Sequence, residues 1–257
     1  MLFWKSTSTN ILNSRNLKAV IDNQIPALII ADFATRQESF NFSQTVLKKK
    51  TIAYEFGRPG SYLGVSLAHY RNSSKEKYFT KVKEAEEQRL EIIKQSFDPV
   101  ARFFQYINQQ TDYSISVANE STFGSYFAGI IRVISHGTDP HVDYAPTFTK
   151  GELIVGEIST QLAWNFYASS PEEGGETVVY NQPYTFSGIN KTYEAYDTQL
   201  LEECESYTFK PTVGSVVIFN TMNPHIVLPA TQKAKIPRIA TGSFLGLLRP
   251  NQIIAWS

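Results

Sequence analysis

The chain has little sulfur, little histidine and no surplus of charge, and each shortage narrows what it can be. Its one cysteine, Cys204, cannot close an internal disulfide. The start at Met1 lacks a basic stretch followed by an apolar run and a small-residue cleavage site, so a reducing, cytoplasmic setting is expected. Lysine plus arginine number 24 and aspartate plus glutamate 24, which leaves no net field to draw the protein toward nucleic acid or an anionic membrane. The longest apolar stretch, Ala27 to Ala31, is far short of the roughly 20 residues that span a bilayer. No repeat or low-complexity segment interrupts the chain. What is present is an ordinary globular composition, 42% hydrophobic and 13% aromatic over 257 residues, enough for a well-buried core. A small molecule is the expected partner.

The order of patterns predicts helical support followed by a β core. Pro26 opens the run Ala27-Leu28-Ile29-Ile30, a buried strand, and Thr35 then caps a helix extending to Lys50. A second helical segment runs from Ser73 to Gln109, polar in its first half and apolar along Ile92, Phe97, Val100 and Phe103, with Pro99 breaking or bending it. From Tyr113 onward the pattern becomes short runs of Ile, Val, Thr, Tyr and Phe between turn residues, and this part reads as all β. Its strands are expected at Ala128–Ile134, Gln161–Ala168, Glu176–Tyr180, Ser215–Asn220 and Arg238–Leu247, the signature of a sandwich or jelly roll. Gly174-Gly175 is expected to form a turn at positive φ, and the acidic stretch Tyr184 to Ser206 reads as an insertion. The whole is expected to be one α+β domain over residues 1–257, with 1–112 mainly helical and 113–257 forming the core.

Two of the four histidines stand in unusual company: His141-Val142-Asp143, and His225 after the apolar run Val216 to Phe219. In a strand, residues two apart share a face, so His141 and Asp143 can reach one ion. Facing strands of a jelly roll can bring His225 beside them. Two histidines and a carboxylate form a facial triad that leaves open positions on iron(II) for a chelating cosubstrate and O2. Arg238, on the next expected strand, supplies a guanidinium fork suited to the remote carboxylate of 2-oxoglutarate. Alternation puts Gln161, Ala163, Asn165 and Tyr167 on one face, where Asn165 or Gln161 can hydrogen-bond that cosubstrate. Ala240 and Gly242 share Arg238's face, whereas Thr241 and Ser243 do not. His136 reads as a loop residue and His69 as structural, and Tyr54, Phe56, Tyr62 and Phe79 can line an apolar pocket or pack a core.

Three blocks carry a wider likeness: Gly129 to Arg132 leading into His141-Val-Asp-Tyr-Ala-Pro146, then Gln161 to Tyr167 with Gly174-Gly-Glu-Thr177, then Gly214 through Phe244, with Trp256-Ser257 at the close. In these blocks the chain resembles the iron(II)/2-oxoglutarate oxygenase superfamily. Within it, the likeness is to the standalone cyanobacterial indole-alkaloid halogenases and their amino-acid halogenase and hydroxylase relatives. The resemblance implies a double-stranded β-helix, with iron(II), 2-oxoglutarate and O2 as cofactor and cosubstrates. It also implies helices before the barrel that lie over the active-site mouth, so Tyr78 to Arg89 becomes a candidate lid. The halogenases place Gly or Ala where this chain has Asp143, which opens a coordination site for chloride. Here a carboxylate stands there, and hydroxylation of a small metabolite, an alkaloid or an amino-acid derivative, is the expected outcome. Desaturation, cyclisation or epoxidation at the same site, a non-catalytic binding jelly roll, and a zinc hydrolase are the competing readings. The last lacks a general base beside the triad.

Overall fold

The computed structural model describes residues 3–54, 60–134, 136–183, 201–231 and 235–257. In chain order these form α1 (Ser14–Ile21), β1 (Ala27–Ile30), α2 (Arg36–Leu47), β2 (Ile52–Ala53), β3 (Ser61–Leu63), α3 (Lys75–Ile93) and α4 (Pro99–Gln110). There follow β4 (Ser114–Val117), β5 (Asn119–Glu120), β6 (Gly124–Ser125), β7 (Ile130–Ile134), α5 (Pro146–Thr149), β8 (Gln161–Ser169) and β9 (Thr177–Tyr180). The chain closes with β10 (Ser206–Phe209), β11 (Val216–Asn220), β12 (His225–Val227), β13 (Arg238–Arg249) and β14 (Gln252–Trp256).

Two sheets face each other. The large one runs β1-β11-β8-β13-β7-β3-β2, with β14 joining β13 beyond β7 and β4 lying parallel to β14. The small one runs β10-β9-β12, and His141 extends it through an isolated antiparallel bridge to His225. This is the expected jelly roll. The acidic insertion falls mostly on residues 184–200, outside the described residues, and β10 begins at its far end.

Alternation divides the large sheet into two faces. Trp164, Phe166, Val216, Ile218 and Ile239 point outward into a core shared with Leu17, Phe42, Phe103 and Ile107 of the helices. Phe103 lies flat on Trp164, centroids 4.2 Å apart. Side chains of this size each contribute about 2 kcal/mol when fully buried, so the outward face fixes the sheet against its helical layer. Ala163, Tyr167, Val217, Phe219 and Ala240 point inward, with Val179 and Phe209 of the small sheet opposite them.

Several expectations need correction. Within the mainly helical segment 1–112, the expected strand β1 is joined by β2 and β3, all three in the large sheet. The segment from Ser73 to Gln109 is two helices: Pro99 occupies the first turn of α4 and Asp98 caps it, accepting from the N–H groups of Val100 and Ala101. Proline is preorganised for that position, where its missing N–H costs nothing. The helix after Thr35 ends at Leu47 rather than Lys50, and its start is a full capping box in which Thr35 and Glu38 bond each other's backbone N–H. Residues 113–257 are not all β, since α5 follows the His141 segment. Gly174 and Gly175 do take positive φ, 80° and 76°. A Cβ on Gly174 would lie 2.3 Å from the Pro229 carbonyl oxygen, so the turn also needs the close approach that glycine permits.

Candidate metal centre

The reciprocal pair of backbone hydrogen bonds between His141 and His225, 3.0 and 2.8 Å, sets the site. Asp143 N–H continues this pairing by donating to the Thr221 carbonyl at 2.9 Å, and the Thr221 hydroxyl donates back to the Asp143 carbonyl. The 141–143 segment is thus held in extended form against both ends of the 221–225 loop. His141, Asp143 and His225 each offer one ligand atom, and these atoms lie within 4.8 Å of one another. Asp143 Oδ2 is 3.7 Å from His141 Nε2 and 3.5 Å from His225 Nε2. Each imidazole has its Nδ1 beside a carbonyl oxygen two residues earlier, Asp139 at 2.7 Å and Asn223 at 3.0 Å. With Nδ1 as the donor, both Nε2 lone pairs face inward, free for a metal.

Electrostatics agree with that role. Burial alone would raise the Asp143 carboxyl, but the closeness of His225, with His141 and Arg132 nearby, prevails and holds it at about 2. Burial and the neighbouring His225 push His141 down. The ligands therefore stand as a carboxylate and a neutral imidazole, the forms that bind a cation.

Arg238 sits on the inner face of β13, 4% exposed. Its Cζ stands 5.0 Å from the Tyr167 ring centroid, and one terminal nitrogen reaches Tyr167 Oη and Thr177 Oγ1 only at 3.5 Å. Among the described residues its Nε has no hydrogen-bond partner. A buried, poorly satisfied guanidinium calls for an anion, and a carboxylate of 2-oxoglutarate matches its fork.

Asn165 stands on the same inner face, half-buried, opposite Gly242. A Cβ at Gly242 would come 2.0 Å from the Trp164 carbonyl oxygen and 3.0 Å from Asn165 Oδ1, so glycine keeps that space open. Gln161 Oε1 accepts from Ala145 N–H at 2.8 Å, so its carbonyl end anchors the chain two residues past Asp143. Thr241 and Ser243 face away from Arg238, as expected, and bond Gly129. His136 is an exposed bend residue. Exposed His69 packs its ring against Tyr62 and Tyr54, at 4.9 and 6.0 Å.

Tyr78 is fully buried. Its hydroxyl donates to the Ser257 carbonyl and accepts from Phe127 N–H, and half-buried Arg89 pairs with Glu86 and Asp98. A lid motion of this segment would have to break all of these contacts.

A family model described as carrier-protein-independent halogenase WelO5 matches residues 7–257. The chain belongs to this family. With it, the chain belongs to the iron(II)/2-oxoglutarate oxygenases, whose cofactor and cosubstrate the residues above fit. Among curated relatives, leucinostatins biosynthesis cluster protein S of Purpureocillium lilacinum is 31% identical over 208 residues, 75% of this chain and 84% of that protein. L-gamma-glutamyl-L-propargylglycine hydroxylase of Streptantibioticus cattleyicolor is 29% identical over 132 residues, 51% of this chain and 48% of its own length. Among solved structures, the N-substituted L-amino acid dioxygenase from Burkholderia ambifaria shares the fold at 13% identity, with a TM-score of 0.61 over 95% of this chain and 91% of that one. Among the described residues no helix is long and apolar enough to cross a membrane.

Sequence reasoning assigned no role to one inner-face group. Arg132, on β7, pairs in register with Ala240 on one side and Tyr62 on the other, and its guanidinium acts electrostatically on the Tyr54 hydroxyl. Alternation along β7 would have put Arg132 on one of two faces, but only the register against Ala240 says which.

Proposed function

We propose that this member of the halogenase family is a hydroxylase acting on an unactivated C–H bond of a small metabolite, an amino-acid derivative or an alkaloid. His141, Asp143 and His225 would hold iron(II), and Arg238 with Asn165 would hold 2-oxoglutarate. When bound, iron(II) with 2-oxoglutarate and O2 supplies an oxidant that takes hydrogen from such a bond and returns hydroxyl, with succinate and CO2 as co-products.

One observation carries the reading: the Asp143 carboxylate lies within reach of both imidazoles, at the position where the halogenases that the sequence resembles carry Gly or Ala. A carboxylate ligand there leaves no vacancy for a halide beside the cosubstrate. The remaining residues serve orientation and exclusion. The Asp139 and Asn223 carbonyls fix the imidazole rings, Gln161 steadies the segment behind Asp143, and Arg238 offsets the remote carboxylate in a site walled by Ala163, Val217 and Phe219. Desaturation, cyclisation or epoxidation would use the same residues and differ in product mass.

The test needs no substrate. Anaerobic protein with iron(II) and 2-oxoglutarate should develop a weak visible charge-transfer band. The band should weaken in Arg238→Ala through loss of cosubstrate affinity, and in Asp143→Ala through loss of iron. Normal iron binding without any band would instead point to a metal-binding protein or a hydrolase.

A further inference from the structure

Two guanidinium groups face the space between the sheets, and one of them has no use in the reading above. Arg238 is taken by the remote carboxylate of the cosubstrate. Arg132 stands on the neighbouring strand, across from Ala240, close enough to Asp143 and His141 to act on both electrostatically. The Tyr54 hydroxyl lies in the same field: burial raises it, and Arg132 and Arg238 oppose that rise. Among the described residues, no carboxylate forms an ion pair with either guanidinium.

Among the described residues the charges do not close. Of the described side chains at this site, Asp143 answers one of the two arginines. Bound iron(II) brings two positive charges and 2-oxoglutarate removes two. One positive charge is left in a low-dielectric space, a costly state unless a further anion enters. The rings of Tyr54 and Tyr62, 5.1 Å apart and tilted by 38°, with His69 against Tyr62, stand beside this charge and offer an apolar surface.

Resting on the proposed oxygenase function, we infer that Arg132 and Tyr54 form the substrate's carboxylate anchor, so that the substrate class is a monocarboxylic acid such as an acylated amino acid, with its apolar part along Tyr54 and Tyr62. Arg132 donates to the carboxylate, the Tyr54 hydroxyl adds a second donor, and the net charge of the loaded site falls to zero. A neutral alkaloid would leave the charge standing.

The experiment titrates the anaerobic iron(II)·2-oxoglutarate protein with N-acetyl-L-leucine and N-acetyl-L-phenylalanine and, in parallel, with their primary amides, following the charge-transfer band and calorimetric heat. At least one acid should bind and perturb the band about tenfold more tightly than its amide, as a charge-assisted hydrogen-bond pair requires. Arg132→Met should erase that preference while 2-oxoglutarate affinity stays within about twofold, Arg132→Lys should retain part of it, and Tyr54→Phe should lose about threefold. If Arg132→Met does not fold, the acid-to-amide ratio in wild type and in Tyr54→Phe decides. Equal binding of acid and amide, or binding of neither, overturns the inference. Loss of 2-oxoglutarate affinity in Arg132→Met with the acid unaffected also overturns it, assigning the guanidinium to the cosubstrate. A missing band in wild type would sink the oxygenase reading itself, a result none of the other outcomes resembles.

Discussion

Tyr78 joins distant stretches of chain through one hydroxyl. It accepts from Phe127 N–H and donates to the Ser257 carbonyl while being wholly excluded from solvent. Tyr78→Phe keeps the ring and strands both partners, so it should destabilise by about 2 kcal/mol, read as a lower urea midpoint at unchanged slope. A shift below about 0.5 kcal/mol would mean that water replaces the hydroxyl. At this scale the sequence displayed the metal ligands because their identities and spacing are themselves the signal. It hid the partners on which other side chains depend: Ala145 for Gln161, the neighbouring strand for Arg132. Alternation names a face and leaves open what lies across from it.

Helix α2 shows how one side chain can serve two purposes. Glu38 completes the capping box with Thr35 and also receives Arg102 of α4 at 2.6 Å, while the Arg102 guanidinium lies 4.2 Å above Phe97. The Arg102 hydrogen bond, against the opposing effect of burial and with help from Thr35, lowers the Glu38 carboxyl from 4.5 to about 2. A depressed carboxyl stabilises the fold above its unfolded value and loses that contribution as the folded value is approached. Glu38→Gln should therefore cost roughly 1 kcal/mol at pH 7, the pair being partly solvated. The gap from wild type should shrink between about pH 4.5 and about pH 2. Urea midpoints of both proteins across that range check it, and a constant gap would assign the effect to the cap alone. Thr35 was legible as a cap and Pro99 as a break. The strands of two to four residues, β2, β3, β10 and β12, were not, because alternation has no room to show itself over so few positions. β12 matters most of these, since it opens with His225.

Over the whole molecule, the jelly roll was readable from its long central strands, each apolar, bounded by turns and far from its partners in sequence. Their order was not readable. The register that sets β13 between β8 on one side and β7 then β14 on the other rests on which outward faces meet the helices, a matter of shape rather than pattern. The reciprocal His141–His225 backbone pairing, with Asp143 bonded to Thr221, has a kinetic consequence. The ligand-bearing segments share amide hydrogen bonds, so a local opening that separates them also releases the ion, and solvent proton exchange at those three amides becomes a clock for metal loss. With iron(II) alone at about 100 times its dissociation constant, exchange at His141, Asp143 and His225 should slow by about 100-fold, while amides in the first turn of α1 keep their rate. Unchanged exchange at the three would mean that the metal leaves through a smaller motion than the parting of these strands.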